Sequence, residues 1–125
     1  MGYKLTFLVA DDSKISRKWL IEALPEALRK KAQIIEAQNG QECVELFEKH
    51  TPDITFLDVT MPIMSGFEAL EKIKAINSNA TVIMVTADRQ KITKEKLEKS
   101  GAKSVINKPI DPKDFRDILL GLISQ

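Results

Sequence analysis

The stretch Ile54-Thr55-Phe56-Leu57-Asp58-Val59-Thr60-Met61-Pro62 decides how the rest of the chain is read. It is an apolar run that stops at a carboxylate and then at a proline. β-Branched and aromatic residues lie between the turn residues Pro52-Asp53 and Met61-Pro62, so Ile54 to Leu57 reads as a short strand. The run shows no polar alternation. Both faces are therefore expected to be covered, as in a parallel sheet under helices. A carboxylate at the carboxyl end of such a strand sits where open α/β sheets bind ligands. Asp also favours turns, so Asp58 alone specifies nothing. The ends of the other strands have to decide.

Outward from this stretch, other apolar runs end in the same manner. Leu5 to Ala10 stops at Asp11-Asp12, and Ser13 is a candidate N-cap. Ile15, Trp19, Leu20, Ala23 and Leu24 recur at helical spacing, which predicts one buried face with Trp19 in the core. Pro25 should end or kink that helix, and Ala27 to Lys31 add a turn. Ile34 and Ile35 mark a second strand, closed by Asn39-Gly40. Cys43, Val44, Leu46 and Phe47 form the stripe of a second helix. His50, the sole histidine, sits where a cation suits a helix C-terminus. Ser65-Gly66 opens a helix with Phe67, Leu70, Ile73 and Ile76 on one side. Thr81 to Val85 is a fourth strand that ends at Thr86-Ala87-Asp88. A helix from about Lys91 to Lys99 follows, its mixed charges reading as a solvated face, and Gly101 closes it. Ala102 to Ile106 is the fifth strand, ending at Asn107-Lys108-Pro109. Asp111 or a neighbour caps a last helix with Phe115, Ile118, Leu119 and Leu122 inward. Five strands alternating with five helices predict an α/β fold, a doubly wound parallel sheet with right-handed crossovers.

The 125 residues read as one domain, large enough to bury about two-thirds of the unfolded surface. Hydrophobic residues make up 43% and charged residues 30%, with a net charge of +1, so nothing calls for nucleic acid or a membrane surface. No apolar run approaches the roughly twenty residues of a membrane span. The N-terminus lacks a signal-peptide layout. Met1-Gly2-Tyr3-Lys4-Leu5-Thr6 matches the short acylation pattern M-G-x-x-x-[ST], which we read as a chance match because Leu5 begins a strand. The single cysteine, Cys43, lies in an amphipathic run and is expected to be a buried, inert thiol. It excludes an internal disulfide and fits a reducing compartment such as the cytoplasm.

In a parallel sheet all strand ends lie on one edge. Asp11, Asp12, Asp58, Thr86 and Lys108 should therefore converge. Three close carboxylates repel one another unless a cation neutralises them. Their hard oxygens suit Mg²⁺, which keeps several waters and is often shared with phosphate oxygens. An aspartate beside such a metal can attack phosphorus and become an acyl phosphate. Lys108 would offset charge on the transferring group, and Thr86 would hydrogen-bond one of its oxygens.

On Val9-Ala10-Asp11-Asp12-Ser13, Leu57-Asp58-Val59-Thr60-Met61-Pro62, Ser65-Gly66, Thr86-Ala87 and Lys108-Pro109, the whole chain resembles the receiver domain of two-component response regulators. The stand-alone chemotaxis type, CheY-like, is the most similar. The resemblance implies a flavodoxin-like sheet of strand order 2-1-3-4-5. It implies that Asp58 accepts a phosphoryl group from a histidine kinase or histidine phosphotransfer domain. It further implies that Asp12, Asp58 and the backbone carbonyl of Thr60 ligate Mg²⁺, with Asp11 reaching it through water. Lys108 and Thr86 would contact the phosphoryl oxygens, and the Lys108-Pro109 bond would be cis. The family usually carries Tyr or Phe three residues before the lysine, where this chain has Val105. Thr86 and Val105 are thus the expected switch pair, and transmission through the fourth helix, fifth strand and last helix is altered.

The main alternative is an aspartyl-nucleophile phosphatase of haloacid-dehalogenase type. It calls for a D-x-D pair and a cap region, whereas Asp11 and Asp12 are adjacent and no residues remain for a cap. An FMN binder would need a Ser/Thr/Gly-rich loop where Asp11-Asp12-Ser13 stands. The expected role is therefore a phosphoacceptor that assists its own phosphorylation and dephosphorylation, not a turnover enzyme. If the chain is complete at Gln125, no DNA-binding or enzymatic output domain is expected. Its output would be binding, as a monomer, to a downstream target protein or phosphatase.

Overall fold

The computed structural model describes residues 5–87 and 94–123. Five strands, β1 (Leu5–Ala10), β2 (Ala32–Ala37), β3 (Ile54–Asp58), β4 (Val82–Thr86) and β5 (Ser104–Asn107), form one sheet in the order β2-β1-β3-β4-β5. Every pairing is parallel. The helices are α1 (Lys14–Ala23), α2 (Glu26–Lys31), α3 (Gly40–His50), α4 (Gly66–Ile76), α5 (Lys94–Ser100) and α6 (Pro112–Ile123). Pro25 does end α1, and the turn expected after it is α2, so the first crossover is one helix in two pieces. The other three crossovers carry one helix each, and α6 follows β5, as the alternation predicts. Asp88, the proposed helix start at Lys91 and the Met1-Gly2 pattern lie outside the described residues.

The missing polar alternation of the opening stretch has the expected cause. All five residues of β3 are buried, and so are all five of β4. Side chains pointing one way, among them Leu8, Leu57, Val82 and Met84, pack with Cys43, Phe47, Leu70 and Ile73 from α3 and α4. Those pointing the other way, Phe7, Phe56, Ile83 and Ile106, pack with Leu20, Phe115 and Leu119 from α1 and α6. Phe56 stacks edge-on against Phe7 at 6.0 Å and Phe115 at 5.4 Å, tying three elements through one ring. Cys43 is buried, and that burial pushes its thiol up to about 12, with Glu42 adding to the shift. It stays a protonated, inert thiol at neutral pH.

Helix termini follow the residues that marked them. Ser13 Oγ accepts from Ser16 N, Asn39 Oδ1 from Glu42 N and Ser65 Oγ from Glu68 N, each satisfying an orphan donor of a first turn. Asp111 Oδ1 accepts from Lys113 N at the start of α6. Gly101 follows α5 with φ +84°, a conformation an L side chain strains to adopt.

Two side chains are not where helical spacing put them. Trp19 is 65% exposed and Ile15 58% exposed. The face of α1 that meets the sheet carries Arg17 and Leu20, continued by Leu24 beyond the helix end. Ile15 and Trp19, four residues apart, form a neighbouring stripe that turns to solvent. Ile76, the last residue of α4, is likewise 43% exposed.

Candidate functional site

The carboxyl edge of the sheet gathers four of the expected residues. Asp11 follows β1 directly, Asp58 is the last residue of β3, Thr86 is the last of β4, and Lys108 follows β5. Backbone hydrogen bonds continue the ladders past the strand ends and hold these residues in place. Asp11 N donates to Ala37 O, Val59 N to Val85 O and Lys108 N to Thr86 O. Asp11, Asp58 and Thr86 are buried, Asp12 is exposed and Lys108 lies between. Thr60 is exposed, two residues beyond the end of β3. Val105 is half-buried and sits back from the edge, opposite Met84. The Lys108-Pro109 bond is cis, as the resemblance implied.

Side-chain contacts complete the cluster. Lys108 Nζ donates to Asp11 Oδ2 at 2.7 Å and to Asp58 Oδ2 at 3.1 Å. Asp11 Oδ1 accepts from Ser13 N at 2.9 Å, and Asp58 Oδ1 accepts from Thr60 N at 3.3 Å. Asp11, Asp12 and Asp58 each offer a carboxylate oxygen, all within 4.8 Å of one another. Three hard oxygens at that separation, with one carboxylate open to water, form a donor set that can hold a small divalent cation such as Mg²⁺. Gly66 makes room beneath the site. Its N–H donates to Val59 O, and a Cβ there would collide with the Asp58 carbonyl.

Charge in the cluster is unbalanced. Burial pushes the Asp58 carboxyl up from its ordinary value, and the Asp11 charge pushes it further; Lys108 and the Thr60 N–H only partly offset this. Burial works to lower Lys108, but its hydrogen bond to Asp11 and the charges of Asp58 and Asp11 outweigh that and leave its pKa raised. The site is therefore short of one positive charge when both buried carboxylates are ionised.

Two residues beside the site, Arg17 and its partner Glu36, escaped the sequence reading. Arg17 is buried, and its guanidinium donates from Nη1 to the Asp11 carbonyl at 2.7 Å and from Nε to Glu36 Oε1 at 2.8 Å. A polar residue between apolar positions reads as solvent-facing. The signal that identifies it is spacing, since positions 17, 20 and 24 lie on one helical face.

Residues 7–120 match the response regulator receiver domain. The chain belongs to that family. The receiver domain is 34% identical over 117 residues to the chemotaxis protein CheY of Halobacterium salinarum, covering 94% of this chain and 95% of that protein. It is 37% identical over 105 residues to the chemotaxis protein CheY of Thermotoga maritima, covering 84% and 86%. Among solved structures, the CheX–CheY–BeF₃–Mg²⁺ complex of Borrelia burgdorferi has a TM-score of 0.78 at 31% identity, covering 95% of this chain and 86% of that one. The receiver domain is thus CheY-like and of the two-component response regulator class. The phosphatase alternative draws no support. No helix among the described residues is long and apolar enough to cross a membrane.

Proposed function

We propose that this receiver domain is a phosphorylation-activated switch in which Asp58 accepts a phosphoryl group from a histidine kinase or a histidine phosphotransfer domain. The observation that carries the reading is the buried Asp58 carboxylate, 3.1 Å from the Lys108 ammonium and clustered with Asp11 and Asp12. An Asp58 oxygen forms a bond to phosphorus while the donor's phosphorus–nitrogen bond breaks. The bonding pair leaves with the imidazole nitrogen, and the product is an acyl phosphate. Lys108, already held against Asp58, offsets charge on the transferring oxygens, and the Thr86 hydroxyl hydrogen-bonds one of them. Asp12, Asp58 and the Thr60 carbonyl would hold Mg²⁺ directly and Asp11 through water. When bound, Mg²⁺ neutralises the carboxylates and the phosphoryl oxygens. Water later cleaves the acyl phosphate, so the domain assists its own charging and discharge and is not a turnover enzyme.

A groove of about 590 Å³ lined by Trp19, Pro109 and Ile110 has Lys108 in its wall, which supports this groove as a surface for a donor protein. Thr86 and Val105 then form the switch that alters the face built from α5, β5 and α6. The output is binding to a downstream protein or phosphatase by a monomeric cytoplasmic domain, and the chemotaxis proteins among its relatives support a chemotaxis pathway. The Borrelia relative, in complex with the protein CheX, supports a protein as the target.

Intact mass after incubation with acetyl phosphate and Mg²⁺ tests the reading. The parent should gain one phosphoryl group and Asp58→Asn none. An undiminished gain in the variant would put the acceptor elsewhere.

A further inference from the structure

Asp12 makes no hydrogen bond or ion pair among the described residues. Where its carboxylate stands relative to Asp11 and Asp58 therefore depends on the backbone that carries it. That backbone is the Asp11–Asp12 peptide, and one side chain among the described residues grips it. Arg17 Nη1 donates to the Asp11 carbonyl at 2.7 Å. The guanidinium is itself anchored, because Nε donates to Glu36 Oε1 on β2 at 2.8 Å. The other side of Asp11 is tied to the same strand, through Asp11 N to Ala37 O at 3.1 Å. β2 and α1 thus clamp the first acidic residue from two directions.

We infer that Arg17 is the positioning residue of the cation site, holding the Asp11–Asp12 peptide so that the Asp12 oxygen meets those of Asp11 and Asp58. The inference rests on the proposed Mg²⁺ site but goes beyond its ligands. The role is geometric. Glu36 balances the guanidinium charge, so Arg17 adds little net field to the carboxylates. A lysine could reach the carbonyl or the carboxylate but cannot donate to both from a rigid fork. Burial also explains the pairing, since a guanidinium this enclosed needs partners for its donors. Outer partners of metal ligands are routinely worth one to two orders of magnitude in affinity.

Calorimetric Mg²⁺ titration of the unphosphorylated full chain tests this, with folding checked by circular dichroism well below each melting temperature. Arg17→Met should weaken Mg²⁺ binding about tenfold to a hundredfold. Arg17→Lys, which can still donate to the Asp11 carbonyl, should recover part of the loss. Glu36→Gln, which loosens the anchor alone, should show a smaller loss. Leu24→Ala controls for general destabilisation and should leave the affinity as it is. A folded Arg17→Met variant with affinity within about twofold of the parent overturns the inference, because a lost outer partner costs far more. If Arg17→Met does not fold, unchanged affinity in both Arg17→Lys and Glu36→Gln overturns it equally. Weakening in Leu24→Ala matching that of the Arg17 variants assigns the effect to stability and overturns it too. A parent that binds no Mg²⁺ at all would instead bring down the proposed site itself.

Discussion

Lys108 donates from Nζ to the Asp58 carboxylate across 3.1 Å while it holds Asp11 at 2.7 Å. The ammonium is shared between the two buried carboxylates. It also leaves Asp58 only half compensated.

That imbalance predicts a pH-dependent stability. The carboxyl of Asp58 is pushed above its ordinary 3.8 by burial and then by Asp11. A raised acid gives stability that is complete below the ordinary value and is lost as pH rises through the folded value. Asp58→Asn keeps the neutral form at every pH. In Mg²⁺-free buffer it should melt higher than the parent at pH 7, and the gain should vanish below pH 3.8. A melting temperature at pH 7 equal to or below that of the parent would show that Lys108 compensates Asp58 fully.

Trp19, the only tryptophan, should behave as a surface residue. Trp19→Ala is expected to change unfolding free energy by no more than about 0.5 kcal/mol in urea. A core tryptophan would cost roughly 3–5 kcal/mol. The parent's emission should be solvent-like and readily quenched by acrylamide.

Thr55 is fully buried in β3, and its Oγ1 has no hydrogen-bond partner among the described residues. A valine has nearly the same shape without the hydroxyl. Thr55→Val should stabilise by about 1 kcal/mol, a rise of roughly 3–5 °C in melting temperature. A lower melting temperature would mean that the hydroxyl is bonded in solution.

The switch should respond unevenly. Val105 is short and, being β-branched, stiff at χ1, so it fills little of any space that Thr86 vacates. A ligand shifts a two-state equilibrium only by its differential affinity for the two states. Beryllofluoride, standing in for the phosphoryl group, should move the amides of Thr86 and Ala87 more than those of Val105 to Asn107. Equal shifts without a partner would show that β5 couples as tightly as an aromatic ring would make it.

Strand ends were legible because four of the five apolar runs stop at or beside a charged or hydroxyl residue. Asp11, Asp58, Thr86 and Lys108 all fall where those stops place them. Strand limits were off by a residue or two, as at β5, which starts at Ser104 and not Ala102. Ladder bonds, not composition, settle such limits. Helix α1 was harder. It carries two apolar stripes, and spacing alone cannot say which meets the sheet. The choice is made by Arg17, which turns inward because the Asp11 carbonyl and Glu36 wait for it there. Glu36 is 19 residues from Arg17 and on another element, so spacing within α1 cannot reveal it.

Asp58 and Lys108 are 50 residues apart, and Asp11 and Lys108 are 97 apart. A ribosome adding roughly 5–20 residues per second needs about 3–10 seconds to pass from Asp58 to Lys108. During that interval the nascent chain carries all three carboxylates and no ammonium to quiet them. The acidic edge cannot assemble stably until the last strand is made. A product truncated before Lys108 leaves the buried carboxylates of Asp11 and Asp58 without the ammonium that holds them.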